Sequence, residues 1–168
     1  STGTLTISGT GAIEVETDAD LNYVIPWNSV RSDIENIVIE EGVTSIGAYV
    51  FSQCFYLTEI TIPESVTSIG DFAFAYCENL PSVTLPECVE NIGCNAFYNC
   101  YSLTKINIPD NLARIEEQTF LGCRSLDHVS IPDSVTSIGD EVFYECFCLE
   151  TIDISDRLTS IGARAFVN

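Results

Sequence analysis

One interval governs this chain: 23 residues. Leu57, Leu80, Leu103, Leu126 and Leu149 recur at that spacing, with Ile34 one period earlier. Phe51, Phe74, Phe97, Phe120, Phe143 and Phe166 keep it, as do Cys54, Cys77, Cys100, Cys123 and Cys146, and Ile46, Ile69, Ile92, Ile115, Ile138 and Ile161. Prolines fall at Pro63, Pro86, Pro109 and Pro132, and no insertion breaks the register from Ile34 to Asn168. A period of this size marks a repeat unit too small to bury its own apolar face, so the units must stack.

The stretch Leu57 to Asn79 shows what one unit looks like. Ile60 and Ile62 alternate with polar neighbours, the signature of a half-buried strand, and Pro63 ends it because proline donates nothing to a ladder. Val66 and Ile69 make a second short apolar segment, and Gly70 permits a corner after it. Asp71 to Cys77 suggests one helical or 3-10 turn, capped by Asp71, with Ala73, Phe74 and Cys77 inward. The expected architecture is an α/β solenoid: a right-handed stack of coils with one parallel strand per repeat. Residues 5–15 read as a β-hairpin, with Leu5/Ile7 and Ile13/Val15 alternating around Gly9-Thr10-Gly11, able to cover the open edge of the first coil. The expected organisation is therefore a capping hairpin and linker over 1–33, then about six repeats over 34–168, the last truncated.

The run Ile131-Pro132-Asp133-Ser134-Val135-Thr136-Ser137-Ile138-Gly139, continued by Phe143, Cys146 and Leu149, resembles the BspA-like leucine-rich-repeat family of the 23-residue treponemal type. Gly3 to Ala12, Pro26-Trp27 and Glu41 to Gly47 are similar to that family's N-terminal cap. The departures are specific. Glu116 replaces the corner glycine and implies a different corner in the fourth coil; Glu40 and Ser155 replace the proline; Val50, Thr119 and Val142 replace the alanine. The resemblance implies a secreted or cell-surface binding protein with an adhesive role. The sequence stops before the sixth coil reaches its cysteine position, so further repeats or another module are expected beyond Asn168.

The net charge of −19 argues against nucleic acid, whose recognition needs Lys and Arg on phosphates, and against an anionic membrane surface. No apolar run is long enough to insert in a bilayer. Six of the acids, Glu41, Glu64, Glu87, Asp110, Asp133 and Asp156, form their own 23-residue column. Neighbouring carboxylates about 5 Å apart repel, by roughly 0.8 kcal/mol in water, so this column must be exposed. It reads either as a solvated turn position or as a cation-binding edge.

Five cysteines share one column, at the strand spacing of about 4.8 Å, beyond the roughly 3.5–4.5 Å that a disulfide asks of its Cβ atoms. They read as a buried ladder of free thiols. Cys88, Cys94 and Cys100 lack the short paired spacings of a zinc site, and no metal or other cofactor is expected.

Outward positions of the strands should build the concave face of the solenoid, the usual contact surface of such proteins. On coils one to three this face carries mainly small hydroxyls, whereas coils four to six concentrate Lys105, Asn107, Asp127, His128, Ser130, Glu150 and Asp153. These seven are the candidate patch for a protein or glycan ligand; an ordinary solvated face is the alternative. His128, Ser130 and Asp153 invite comparison with a hydrolytic triad, but an open strand face offers neither a pocket nor an oxyanion hole, so no catalytic residue is assigned. Phe55, Glu78, Tyr101, Arg124 and Phe147 form a second stripe after the cysteine, with Tyr56 beside the first, suited to packing or to stacking on a ligand. The functional expectation is a non-enzymatic adhesion module. The alternatives are a structural spacer, or a carbohydrate-recognition accessory to a secreted enzyme system.

Overall fold

The computed structural model describes residues 3–17 and 23–167. The coils are 34–56, 57–79, 80–102, 103–125, 126–148 and the sixth from Leu149. Each contributes two short strands rather than one. The first sheet contains Asn36–Ile39, Glu59–Thr61, Ser82–Val83, Lys105–Ile106, His128–Ser130 and Thr151–Asp153. The second contains Val43–Ile46, Ser68–Ile69, Asn91–Ile92, Arg114–Ile115, Ser137–Ile138 and Ser160–Ile161. Pairing within both is parallel and offset by one period, as in Ile37 with Ile60 and Ile46 with Ile69. The second apolar segment of the repeat is thus a strand in its own right.

The third side of the coil corrects the expected helical turn. Asp71 to Cys77 is a run of turns, with Phe72 at φ 54° and Tyr76 at φ 62°. The pattern recurs every period at Tyr49, Asn95, Gln118, Glu141 and Arg164, and at Gln53, Asn99 and Glu145. Left-handed backbone costs a non-glycine residue about 1–2 kcal/mol. Hydrogen bonding explains why it is tolerated. The N–H groups of Tyr49, Phe51 and Gln53 donate to Asp71, Ala73 and Ala75 of the next coil, while Ser52 and Cys54 donate back to Tyr49 and Phe51. A helix would direct its bonds along itself and give none to the neighbouring coil. Asp71 is not a helix cap either: its carboxylate accepts from Cys94 N at 2.8 Å, one coil on, and Asp140 repeats this with Ala163 N at 2.7 Å.

Inside, the columns stack as the period requires. Phe51, Phe74, Phe97, Phe120 and Phe143 have no exposed surface, and successive phenylalanine rings from Phe51 to Phe166 lie 5.3–5.7 Å apart, near parallel. The column cysteines are buried beside them, with free thiols. Cys77, Cys100, Cys123 and Cys146 each donate through Sγ to the carbonyl of Phe51, Phe74, Phe97 and Phe120, at 3.2–3.3 Å. Burial pushes the Cys54 thiol up to about 11 and Cys100 and Cys146 up to about 12, and raises Cys77 and Cys123 as well. The acid column is exposed at all six positions.

The expected hairpin does not form. Thr4–Ile7 pairs parallel with Asn36–Ile39, and Gly11–Ile13 pairs parallel with Val43–Ile46. The segment is a shortened coil, with Leu5 over Ile37 and Ile13 over Ile46, and it extends both sheets. A hairpin laid on the edge would satisfy the backbone of one strand only. Trp27 completes the plug: its ring stacks on Phe51 at 5.6 Å and Nε1 donates to Val50 O at 3.2 Å. A small antiparallel pair, Glu16–Thr17 with Tyr23–Val24, lies between.

Candidate functional site

Two backbone interruptions shape the outer face of the first sheet. Among the described residues, this sheet divides between Glu59–Thr61 and Ser82–Val83, and again between Lys105–Ile106 and His128–Ser130. The first division has a covalent cause. Thr58, Thr104 and Glu150 donate N–H to the preceding coil, but Pro81 occupies that position in the third coil and has no proton to give. Around the second division lies a groove of about 510 Å³, lined by Ser82, Thr84, Lys105, Asn107, Asp127 and His128, with Val83 and Ile106 between them.

Four of the seven candidate residues, Lys105, Asn107, Asp127 and His128, therefore meet around one groove, while Ser130, Glu150 and Asp153 lie outside its lining. Ser82 and Thr84, which sequence reasoning assigned to the plain half of the face, complete it. No residue type marks them in sequence; only the break in the sheet does. Asn107 has a positioning role. Its Oδ1 accepts from Leu85 N at 2.7 Å and its Nδ2 donates to Leu85 O at 2.8 Å, so the carboxamide extends the pairing of the third and fourth coils. Lys105 is exposed and forms no ion pair among the described residues. His128 Nδ1 meets Thr151 Oγ1 at 2.9 Å and Nε2 lies 3.6 Å from Asp153 Oδ2. Both ring nitrogens thus face the next strand, and a relay from Ser130 through His128 to Asp153 is not assembled. Among the described residues no group of three or more His, Cys, Asp or Glu is placed to hold a metal ion, and no helix is long and apolar enough to cross a membrane.

The family model for the BspA type leucine rich repeat region matches residues 30–93 and 44–168, in six copies. The chain belongs to this family. A leucine-rich repeat protein from Bacteroides ovatus has a similar solved structure, with a TM-score of 0.67 and 28% identity over 91% of this chain and 48% of that one. The chain thus spans about half the length of that relative. The T. pallidum leucine rich repeat protein gives a TM-score of 0.65 and 26% identity over 76% of this chain and 73% of its own. The pneumococcal vaccine antigen PcpA, at 18% identity and a TM-score of 0.50 over 77% of this chain and 47% of its own, shares the fold. A comparison with curated protein sequences gives no match.

Within this BspA-type coil, the stripe after the cysteine divides the two uses that its sequence allows. The Arg124 guanidinium lies 4.6 Å from the Tyr101 ring and 5.8 Å from Phe147, with Glu145 at 3.4 Å. Those three coils pack on one another through a cation between two rings. Phe55 and Tyr56 remain exposed at the other end of the stripe.

Proposed function

We propose that this BspA-type chain is a non-enzymatic binding module of a secreted or cell-surface bacterial protein, and that it adheres to a protein ligand through the groove across coils three to five. The observation that carries the reading is the Lys105–Asp127 pair of walls. An unpaired cation and an acid face one groove, where the sheet's own hydrogen bonding is interrupted. An extended segment of a partner finds there charges of both signs and the Ser82 and Thr84 hydroxyls. Membership of a family of bacterial leucine-rich repeat proteins supports the surface location.

The test is binding of the purified chain to immobilised extracellular-matrix proteins and to a glycan array, wild type against Lys105→Ala and Asp127→Ala. We expect a matrix protein to bind, and each variant to weaken it about tenfold. Binding that is indifferent to both variants would remove the groove from the account. Glycans alone binding would favour a carbohydrate-recognition accessory, and no binding in either format would favour a structural spacer.

A further inference from the structure

We propose that the junction between the N-terminal segment and the first coil is a separate binding site, one that takes a small carboxylate-bearing ligand anchored by Arg31. A cavity of about 320 Å³ opens there, lined by Ile25, Asn28, Arg31, Tyr49, Ser52 and Gln53. That is the lower end of the size range of small-molecule sites, roughly 300–1,000 Å³, and suits a single sugar or a peptide terminus. Five of its six lining residues are polar and none is acidic. In a chain of net charge −19, this cavity has a cation and no carboxylate among its described lining residues.

The state of Arg31 sharpens the point. Arg114, Arg124 and Arg164 pair with Glu116, Glu145 and Glu141. Arg31 has a neutral partner instead: Nη1 donates to Gln53 Oε1 at 3.2 Å. Its Nε is buried and meets no acceptor, so the donor set of this guanidinium is incomplete as the cavity stands. Its charge is felt inside the protein: burial pushes the Cys54 thiol up, and Arg31 opposes that push. A guanidinium fork matches a carboxylate in shape as well as charge. Asn28 and Ser52 line the same cavity and supply an amide and a hydroxyl for the rest of the ligand.

Local structure holds the site open. Arg31 sits on the 3-10 helix Asn28–Asp33, directly after Trp27, which is fixed by the Phe51 stack and the Val50 carbonyl. Gln53 comes from the turn edge of the first coil, 22 residues away. The site is therefore on the turn side of the solenoid, built from none of the residues of the first-sheet groove, and stands or falls independently of it.

Trp27 is the only tryptophan and directly precedes the 3-10 helix Asn28–Asp33 that carries Arg31, so its fluorescence is the reporter nearest the cavity in sequence. The probes are glucuronate and N-acetylglycine, which carry the carboxylate on a sugar and on a peptide end, with glucose and N-acetylglycine amide as neutral counterparts. We expect at least one acid to give a saturable change, with its neutral counterpart about tenfold weaker or more. Arg31→Gln should abolish the response, Ser52→Ala should weaken it, and Lys105→Ala should leave it unchanged. Melting curves confirm that each variant is folded; if Arg31→Gln is not, the Ser52→Ala result and the acid-to-neutral ratio decide. Equal response to acid and neutral probes, a folded Arg31→Gln that binds as wild type does, or no saturation with either acid would overturn the proposal. Which acid binds distinguishes an acidic glycan from a peptide terminus.

Discussion

In the second sheet the seam between coils three and four is divided and the seam between coils four and five is closed, while the first sheet does the reverse. At the second, Gly139 lies against the fourth coil so closely that a Cβ there would stand 2.7 Å from Glu117 N, and the second sheet runs through from Arg114–Ile115 to Ser137–Ile138 and Ser160–Ile161. At the first seam the same position is Glu116, and among the described residues the second sheet divides there, between Asn91–Ile92 and Arg114–Ile115. Gly70 and Gly93 show the geometry that Glu116 cannot adopt, with their virtual Cβ atoms 2.6 and 2.5 Å from a backbone nitrogen of the preceding coil. The interior ignores the difference. Phe97 stacks on Phe120 at 5.7 Å and Cys123 reaches Phe97 O at 3.3 Å across the divided seam, much as Phe120 and Cys146 do across the closed one. The corner glycine thus controls whether one backbone ladder closes, and the side-chain columns control whether the coils stack at all.

The largest effect should come from attacking the columns, which cross both seams alike. Burial raises the folded Cys54 thiol to about 11 and Cys100 and Cys146 to about 12, from an ordinary value of 9.0, and raises Cys77 and Cys123 in the same direction. A raised acid of this kind contributes stability that is fully present below the unfolded value and is lost as pH rises from there through the folded value. Stability should be flat from pH 7 to 8 and then fall by about 1.4 kcal/mol per pH unit for each thiol above roughly pH 9. Denaturant melts across that range check it. Thiol labelling at neutral pH adds a finer comparison: Cys123 and Cys146 should label equally slowly, whereas faster labelling of Cys123 would mean that the divided seam reaches the core.

A smaller loss is expected from opening the closed seam. Gly139→Ala forces a methyl onto backbone rather than onto a movable side chain, and should cost about 2–3 kcal/mol. An unchanged melting midpoint would show that the corner yields easily. The smallest effect runs the other way. Glu116→Gly should close the divided seam, gaining about two hydrogen bonds at roughly 1 kcal/mol each, less about 1 kcal/mol for the flexibility of glycine. The exposed Arg114–Glu116 pair that it removes is worth little. The cleaner readout is hydrogen exchange, in which the amide of position 116 should become protected.

Which features the sequence disclosed follows from the physics of each. The Phe, Cys and Ile columns were legible because stacking repeats their environment every 23 residues, and the Glu116 corner because it breaks that repetition. The N-terminal segment was misread as a hairpin because Leu5, Ile7 and Ile13 alternate identically in an antiparallel hairpin and in a parallel shortened coil; only pairing across 32 residues, Leu5 to Ile37, separates the two. The turns at Asp71 to Cys77 passed for a helix because Ala73, Phe74 and Cys77 point inward in either. In the groove, Lys105, Asp127 and His128 stood out by residue type, while Ser82 and Thr84 did not. Arg31 lies in the non-repeating segment, and nothing in its neighbours announces the cavity it shares with Gln53.

The even spacing of the coils has a mechanical side. From Phe51 to Phe166 each phenylalanine ring lies on the next, 5.3–5.7 Å away, so the coils are held mainly in neighbouring pairs. Pulled along the chain, such a stack gives way one coil at a time, because each coil holds mainly its immediate neighbours. Every coil released adds about 80 Å of contour length at roughly 3.5 Å per residue. Under load the stack lengthens in even steps.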